Sequence, residues 1–416
     1  MNREPRWRIL RRADPARLAA QAAQLAEDLK REDPAARQLL AEFHPNPPAA
    51  AALTLADARL CLARAHDFPD WDAFLRAVLL FNAICEDDAE AVQRQIDEHP
   101  DLLGERVNGL TSNWGPPLVC AAQVGAEQVF AALLLRDGQD LAWALDRAIL
   151  KGRADMARAL IARGATPEPG VVLGPCESLN VAGLEFLAEI GAPLTDAQGS
   201  ALAPVALLLE GYHRDPPAKH ACLQFFLAHG IEYPDTPAMA FHQGHVDRLK
   251  LFLEHRPDLL RQPFSYRDIY PLELGCHQDE TLGLHGTPIA GGTLLHLCMD
   301  FDEEAIARWA LEAGADANAR CVPDPDGFNN HPPLHNAVVS QAALSGRERG
   351  GVLARLLLEH DADPGMKGTL RKGIRFIADE SVYDYCDLTA DEYGRQFHAG
   401  RWVNQPALEL VAAARG

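Results

Sequence analysis

Short apolar stripes at helical spacing, most of them followed by a glycine, recur along this chain. The clearest stretch, 293–320, begins with Thr-Leu-Leu-His-Leu-Cys and continues with a polar turn. Its second part then places apolar residues at intervals of three and four: Ala305, Ile306, Trp309, Ala310 and Ala313. This spacing puts them on one face of an amphipathic helix. Gly314 stands where a left-handed residue is needed to end that helix, so the stretch predicts a pair of short helices.

Other parts of the chain repeat this unit imperfectly. Further copies, in order of decreasing clarity, are seen at 331–364, 117–138, 143–165, 184–192 and 222–231. Neither helix of a pair can bury its apolar stripe alone, so neighbouring copies must stack. Alanine is used heavily and runs of β-branched residues are few, which favours helix. The pattern therefore predicts an all-α fold of stacked helix pairs.

At these motifs the chain resembles the ankyrin-repeat family, most specifically at 293–320 and 331–364. The resemblance implies a solenoid of about eight repeats over 79–388, degenerate in 166–240. Residues 55–74 resemble the leader that precedes the repeats of many bacterial ankyrin-repeat proteins. They imply an N-terminal helical cap over 1–78 and a bacterial source. Thr389 and Glu392 form a capping-box pattern, and 389–416 is predicted to hold C-terminal cap helices.

Two inserts interrupt the repeats, and both are rich in polar and aromatic residues. The first insert is 261–292 and the second insert is 321–332. Loops this long are usually functional or disordered, and the aromatic residues favour order. The family resemblance implies that such elements project on one side, so the face around 261–335 is the predicted binding surface. The candidate contact residues are Trp114, Tyr266, Tyr270, His277, Asp279, Glu280, His285, Asp324, Asp326, Phe328, Asn329 and His331.

Three of these candidates also have a structural interpretation. Trp114 follows an outward turn, where it would contact a partner or pack on the next turn. Asp324-Pro325-Asp326-Gly327 is also a standard turn sequence. His296 and His335 stand at the fourth position of a Thr-Pro-Leu-His-like start, and the family resemblance implies a structural role for both.

The leading hypothesis is a non-enzymatic scaffold that binds a protein partner through the inserts. The alternative is an enzyme or a small-ligand or metal-binding protein that uses their His, Asp and Glu residues. No His-x-x-x-His helix, cysteine pair or calcium loop supports a metal site, and no phosphate loop or Gly-x-Ser-x-Gly elbow supports catalysis. We therefore expect no cofactor and no metal. An open groove with aromatic residues would favour protein binding, and a closed pocket of convergent polar groups would favour the alternative.

The charge of the chain restricts its partners. The formal net charge of −20 argues against general binding to nucleic acid or anionic lipid, since the summed field repels phosphate. It is compatible with a basic partner and with solubility alone. The arginines between Arg3 and Arg12, interleaved with Trp7 and Ile9, leave membrane-surface attachment as a weaker alternative.

The nine cysteines are odd in number and show no paired spacing. Several lie in apolar helical patterns, which indicates buried reduced thiols. Reduced thiols are typical of the cytoplasm, which is therefore the predicted location. We expect a monomer.

Overall fold

The computed structural model describes residues 9, 12–107, 114–277, 285–344, 346, 350–373 and 382–416. Over these residues the chain is predominantly helical, as predicted. Contacts divide it into two compact units, 1–168 and 169–416. The predicted boundary at 78/79 falls inside a helix, and the division at 168/169 was not predicted.

The first unit contains pairs of short helices. Its helices are α1 (Pro15–Lys30), α2 (Pro34–Phe43), α3 (Leu55–Ala65), α4 (Trp71–Cys85), α5 (Ala89–Glu98), α6 (Pro117–Val124), α7 (Glu127–Leu134), α8 (Leu141–Leu150) and α9 (Ala154–Ala162). Short 3-10 turns lie at Ala50–Ala52 and Pro100–Leu103. Helices α1, α2 and α3 pack on one another around Leu29, Leu39, Phe43 and Cys61.

From α4 onward the first unit stacks its helices in two rows. The first helices of each pair, α4, α6 and α8, contact one another in order, as do the second helices, α5, α7 and α9. The Asp87 carboxylate accepts hydrogen bonds from the backbone N–H groups of Gln128 (3.1 Å) and Val129 (2.9 Å). Because these N–H groups lie in the first turn of α7, one pair caps the next.

The second unit holds further helix pairs and two strands. Its helices are α10 (Leu173–Glu177), α11 (Val181–Glu189), α12 (Ala203–Glu210), α13 (Pro216–Ala228), α14 (Pro237–His242), α15 (Val246–His255), α16 (Tyr266–Ile269), α17 (Leu294–Phe301), α18 (Glu304–Glu312), α19 (Pro333–Val338), α20 (Gln341–Leu344), α21 (Val352–Glu359), α22 (Ala390–Gln396) and α23 (Gln405–Arg415). The strands are β1 (Lys367–Gly373) and β2 (Val382–Thr389). Short 3-10 turns lie at Leu259–Arg261, Leu272–Leu274 and Gly400–Trp402.

The same two-row stacking is seen in the second unit. Helix α10 contacts α12 and α11 contacts α13, within the region 166–240 where the sequence motif is weakest. The predicted pair at 293–320 is α17 and α18, followed by Gly314 at φ +94°. Helix α17 then contacts α19, and α18 contacts α21.

His296 ties one helix pair to the next. Its Nδ1 accepts from the Thr293 backbone N–H at 3.0 Å, so the proton of the neutral ring lies on Nε2. That Nε2–H donates to the His331 carbonyl oxygen at 3.1 Å. The side chain is fully buried, and its role is therefore structural, as the family resemblance implied.

The predicted all-α fold is corrected by a β-hairpin. Strands β1 and β2 pair antiparallel, with Leu370 opposite Tyr385 and an irregularity between Gly368 and Leu370. Asp387, at φ +56°, lies on the opposite strand at this irregularity. The hairpin lies within the segment predicted as repeats, 79–388. Helices α22 and α23 occupy the segment 389–416, where cap helices were predicted.

Within the described ranges, none of the helices combines the length and apolar character that crossing a membrane requires.

Candidate functional site: a groove between the two inserts

An open groove of about 410 Å³ lies where the two inserts meet. We call it the insert groove. Its lining residues are Pro263, Ser265, Tyr266, Asp268, Ala290, Gly291, Val322, Asp324 and Asn329. Three predicted contact residues from both inserts, Tyr266, Asp324 and Asn329, are therefore brought together.

Backbone hydrogen bonds join the two inserts beneath the groove. The Phe264 N–H donates to the Gly292 carbonyl at 2.8 Å, and the Gly291 N–H donates to the Phe264 carbonyl at 2.7 Å. The Val322 N–H donates to the Gly291 carbonyl at 2.8 Å. Gly291 has φ +76°, and a Cβ there would lie 2.8 Å from the Val322 carbonyl oxygen. Glycine is therefore required for this close approach.

The wall from the first insert is a single helical turn, α16, with a capping box at its start. The Asp268 carboxylate accepts from the Ser265 N–H (2.8 Å) and hydroxyl (2.6 Å), while the Asp268 N–H donates back to the Ser265 hydroxyl (3.2 Å). This reciprocal pairing fixes the turn. Tyr266 is 8% exposed and its ring packs on that of Tyr270, so it lines the groove without projecting from it.

The wall from the second insert is a tight turn. The Asp324 carboxylate accepts from the backbone N–H groups of Asp326 (3.0 Å) and Phe328 (2.8 Å), and the Gly327 N–H donates to the Asp324 carbonyl at 2.9 Å. The turn interpretation of this sequence is correct. Val322 is 54% exposed at the groove.

The β-hairpin, which sequence reasoning missed, braces the second insert. The Asn329 N–H donates to the Thr369 carbonyl at 2.7 Å, and the Thr369 N–H donates to the Asn330 side chain at 2.9 Å. Arg371 lies 3.8 Å above the Phe328 ring and pairs with Asp326 at 3.1 Å. Alternation in Val-Tyr-Asp-Tyr-Cys, from Val382, is the signal that could have predicted β2.

Two candidates from the first insert are core residues, which corrects their prediction as contacts. Tyr270 is 1% exposed and His285 is 4% exposed. The Tyr270 hydroxyl donates to His285 Nε2 at 3.0 Å, and His285 Nδ1–H donates to Asp300 at 2.8 Å. Arg214 also donates to the Asp300 carboxylate, at 3.1 Å. No surface partner can reach this network.

Charge explains how the network tolerates burial. Burial alone raises the pKa of the Asp300 carboxyl, but the neighbouring His285 and Arg214 outweigh it and hold that pKa well below its usual value. Burial lowers the pKa of His285, although Asp300 acts in the opposite direction. The pair is therefore a carboxylate bonded to a neutral imidazole and to a guanidinium.

His331 of the second insert is also buried, with no measurable exposure, and its prediction as a contact is corrected. Its Nε2–H donates to the Asn336 amide oxygen at 3.0 Å. Burial lowers the pKa of His331, and the neighbouring His296 and His335 lower it further. The ring belongs to the core beneath the groove.

His296, Cys321 and His331 form a group with metal-ligand chemistry, because their donor atoms lie within 4.8 Å of one another. The hydrogen bonds do not fit an ion there. Both ring nitrogens of His296 are engaged within the protein, and His331 Nε2 is engaged with Asn336. A metal would have to displace these bonds and remove the His296 Nε2 proton.

His277 and Trp114 do not line the groove. His277 is exposed and bonded to Glu210, through its backbone N–H and its Nδ1, both at 2.7 Å. Asp279 and Glu280 lie outside the described residues. Trp114 belongs to the first compact unit, where its half-buried ring packs edge-on against Phe81 at 5.2 Å between centroids. Trp114 therefore packs against its own unit and does not project from it.

A second cleft, of about 640 Å³, lies beside α13, α15 and α18 and was not predicted. At its floor the buried Glu303 carboxylate accepts from His220 Nε2 at 2.8 Å and lies 3.9 Å from Lys219 Nζ. Burial lowers the pKa of Lys219 to about 8, while Glu303 acts against that shift. A lysine on the apolar stripe of α13 is the sequence signal that could have revealed it. Glu303 is the polar partner of both His220 and Lys219, and their arrangement indicates no particular reaction.

Comparisons with known proteins give structural likenesses and no sequence match. No known family profile matches the chain, and no curated protein matches it. Among solved structures, the human ASB11 ankyrin repeat domain is similar, at 16% identity and a TM-score of 0.22. The likeness covers 80% of this chain and 96% of that one. The fold of this chain is therefore defined by its helix pairs and their contacts, and not by this likeness.

Proposed function

We propose that the chain is a non-enzymatic protein-interaction scaffold of the ankyrin type. In this proposal the helix pairs form a solenoid and a protein partner binds in the insert groove. The observation that supports it is the meeting of Tyr266 from the first insert with Asp324 and Asn329 from the second in one open groove. Contact residues held on a rigid scaffold in this way are typical of recognition surfaces.

The construction of the groove supports recognition without large rearrangement. One wall is fixed by the Ser265–Asp268 capping box, and the other by the Asp324 turn and its contacts with β1. A surface that is already ordered loses little conformational entropy on binding. The exposed Val322 offers an apolar contact at the junction.

The proposal is tested by filling the groove. Val322→Trp places a bulky side chain at a position that is 54% exposed, so the fold should tolerate it. The matched control is Val382→Trp, at a valine that is 63% exposed on β2 and does not line the groove. Both variants and the unmodified chain are used for affinity capture from the native lysate, with quantitative mass spectrometry.

We expect partners captured by the unmodified chain and by Val382→Trp to be lost with Val322→Trp. Identical capture by all three proteins would place the binding surface elsewhere. Deletion of 265–290 is a poorer test, since it removes Tyr270 and Ile289, each 1% exposed, from the core.

The proposal includes a monomer in the cytoplasm of a bacterium. All nine cysteines are free thiols, and Cys386 is exposed. Free thiols persist in a reducing compartment. Fractionation of native cells, followed by immunodetection, tests the location, and light scattering of the purified chain tests the oligomeric state.

A further inference from the structure

The insert groove has an unbalanced charge. Two carboxylates, Asp268 and Asp324, line it, and no lysine, arginine or histidine is among its lining residues. The rest of its surface is apolar or neutral, with Pro263, Ala290 and Val322 on the walls. The charge on the lining is therefore of one sign only.

Neutral donors hold both carboxylates in place. Asp268 accepts from the Ser265 N–H and hydroxyl. Asp324 accepts from two backbone N–H groups and, at 3.4 Å, from the Asn329 amide. These bonds fix the positions of the oxygens and leave the negative charges uncompensated. Within the described ranges, no cation pairs with either group at 4.0 Å or less.

Other carboxylates nearby have a cationic partner. Asp326, two residues from Asp324, pairs with Arg371 at 3.1 Å, and Asp384 pairs with the same arginine at 2.8 Å. In the core below, Asp300 pairs with Arg214. Arg371 and Arg214 are therefore engaged away from the groove, and Asp268 and Asp324 remain available to a ligand.

We propose that the segment bound in the insert groove is basic, with a lysine or arginine side chain placed between Asp268 and Asp324. This inference rests on the proposed function and names its partner class. Lysine and arginine have an apolar stem and a charged head, which match the apolar walls and the two carboxylates.

The charge of the whole chain supports the same partner. A net charge of −20 attracts a basic segment over long range and raises its association rate at low ionic strength. The groove volume of about 410 Å³ lies in the lower part of the range of about 300–1,000 Å³ that ligand sites occupy. One or two long side chains fit such a space, and a globular surface does not.

The experiment measures binding of defined peptides to the full chain by fluorescence polarisation. The probes are three labelled nonapeptides of equal length, in which arginine, glutamine or glutamate alternates with alanine. The variants are Asp268→Asn, Asp324→Asn and the double variant. Asparagine keeps one oxygen that can accept the hydrogen bonds from the backbone N–H groups of the turn and of the cap, so the charge is removed while both are kept. Glu254→Gln is the control, an equal change of charge at an exposed position of α15.

We expect only the arginine peptide to bind the unmodified chain. Each single variant should weaken that binding about three- to fivefold, and the double variant about tenfold or more. Glu254→Gln should leave it within a factor of about two, as for a remote surface charge. Added salt should weaken peptide binding by the unmodified chain more than peptide binding by the double variant.

The outcomes separate this inference from the proposed function. Equal binding of the arginine peptide by the double variant and by Glu254→Gln would overturn the basic-segment inference. If native partners are nevertheless lost with Val322→Trp, the groove is a binding site for a partner of another chemistry. If Val322→Trp also leaves both capture and peptide binding unchanged, the proposed function fails as well.

Discussion

The two compact units bury different kinds of side chain. In the described part of 1–168, no polar or charged residue is buried as a whole. In 169–416 the buried set includes Arg214, Lys219, Asp300 and Glu303, together with five histidines. Both units stack short helix pairs in two rows. The same arrangement of helices therefore accommodates an apolar core in one unit and a partly polar core in the other. Charged groups in an interior are tolerated only when paired and hydrogen-bonded, as these are.

Part of the difference follows from the inserts. Tyr270 and His285 come from the first insert, and His331 comes from the second. Tyr270 bonds to His285, which bonds in turn to Asp300 of the repeats, and His331 bonds to Asn336 of the repeats. The inserts are therefore anchored from below by polar contacts, and they expose a groove above. The first unit has no buried network of this kind among its described residues.

Low pH should produce the largest difference in stability between the two units. Burial lowers the pKa of both His296 and His335 to about 4, from an ordinary value of 6.5. Because the folded state favours the neutral rings, their contribution to stability is complete above pH 6.5 and is lost as the pH falls toward 4. At about 1.4 kcal/mol for each pKa unit, the loss is about 3 kcal/mol for each ring.

Hydrogen exchange between pH 7 and pH 4.5, resolved by peptide mass spectrometry, checks this expectation. Protection should be lost in 169–416 at a higher pH than in 1–168. Simultaneous loss in both units would show that the buried histidines do not control acid stability.

Removal of one buried charge should have the next largest effect. Asp300→Asn leaves the Arg214 guanidinium, 3% exposed, without its carboxylate. An unpaired buried charge costs about 3–5 kcal/mol, so the second unit should lose that much of its free energy of unfolding. The matched change in the first unit is Asp97→Asn, whose carboxylate pairs with Arg136 at the surface. It should cost at most about 1 kcal/mol. Urea denaturation of both variants measures the difference, and equal losses would contradict it.

Two glycines, one in each unit, allow the cost of backbone strain to be compared with the cost of a steric clash. Gly164 of the first unit has φ +96°, and a Cβ there meets nothing within 4 Å. Gly291 has φ +76° but little room beside the Val322 carbonyl. Gly164→Ala should therefore cost about 1 kcal/mol, and Gly291→Ala about 2–3 kcal/mol. Thermal unfolding of the two variants gives the comparison. Equal costs would mean that the groove junction relaxes freely.

The smallest effect is expected at the surface of the second unit. Arg371→Ala removes the contacts with Phe328, Asp326 and Asp384, all at least partly exposed. Because solvent screens exposed pairs, the midpoint of global unfolding should not change measurably. Hydrogen exchange at β1 and β2 should nevertheless increase, since the arginine links the hairpin to the second insert. A large shift of the midpoint would show that burial is not what distinguishes the two cores.

Much of the fold could be predicted, because helix periodicity and terminal glycines are local signals. The pair at 293–320 and the position of Gly314 are examples. The hairpin at 367–389 was missed although β2 carries a local signal, because its strands are stabilised by pairing with each other and with Asn329 and Asn330, and these pairing partners cannot be read from the local sequence. The candidate site was predicted only in part. Tyr266 and Tyr270 are four residues apart, yet one lines the groove and the other bonds to His285 in the core.

The sequence by itself determined that this chain forms short amphipathic helices that must stack, because their apolar stripes cannot be buried singly. It also determined where the stacking is interrupted. Only the tertiary structure decided which polar residues of the inserts face inward. That choice depends on the distant partners Arg214, Asp300 and Asn336, which supply the hydrogen bonds that make burial of a polar side chain tolerable.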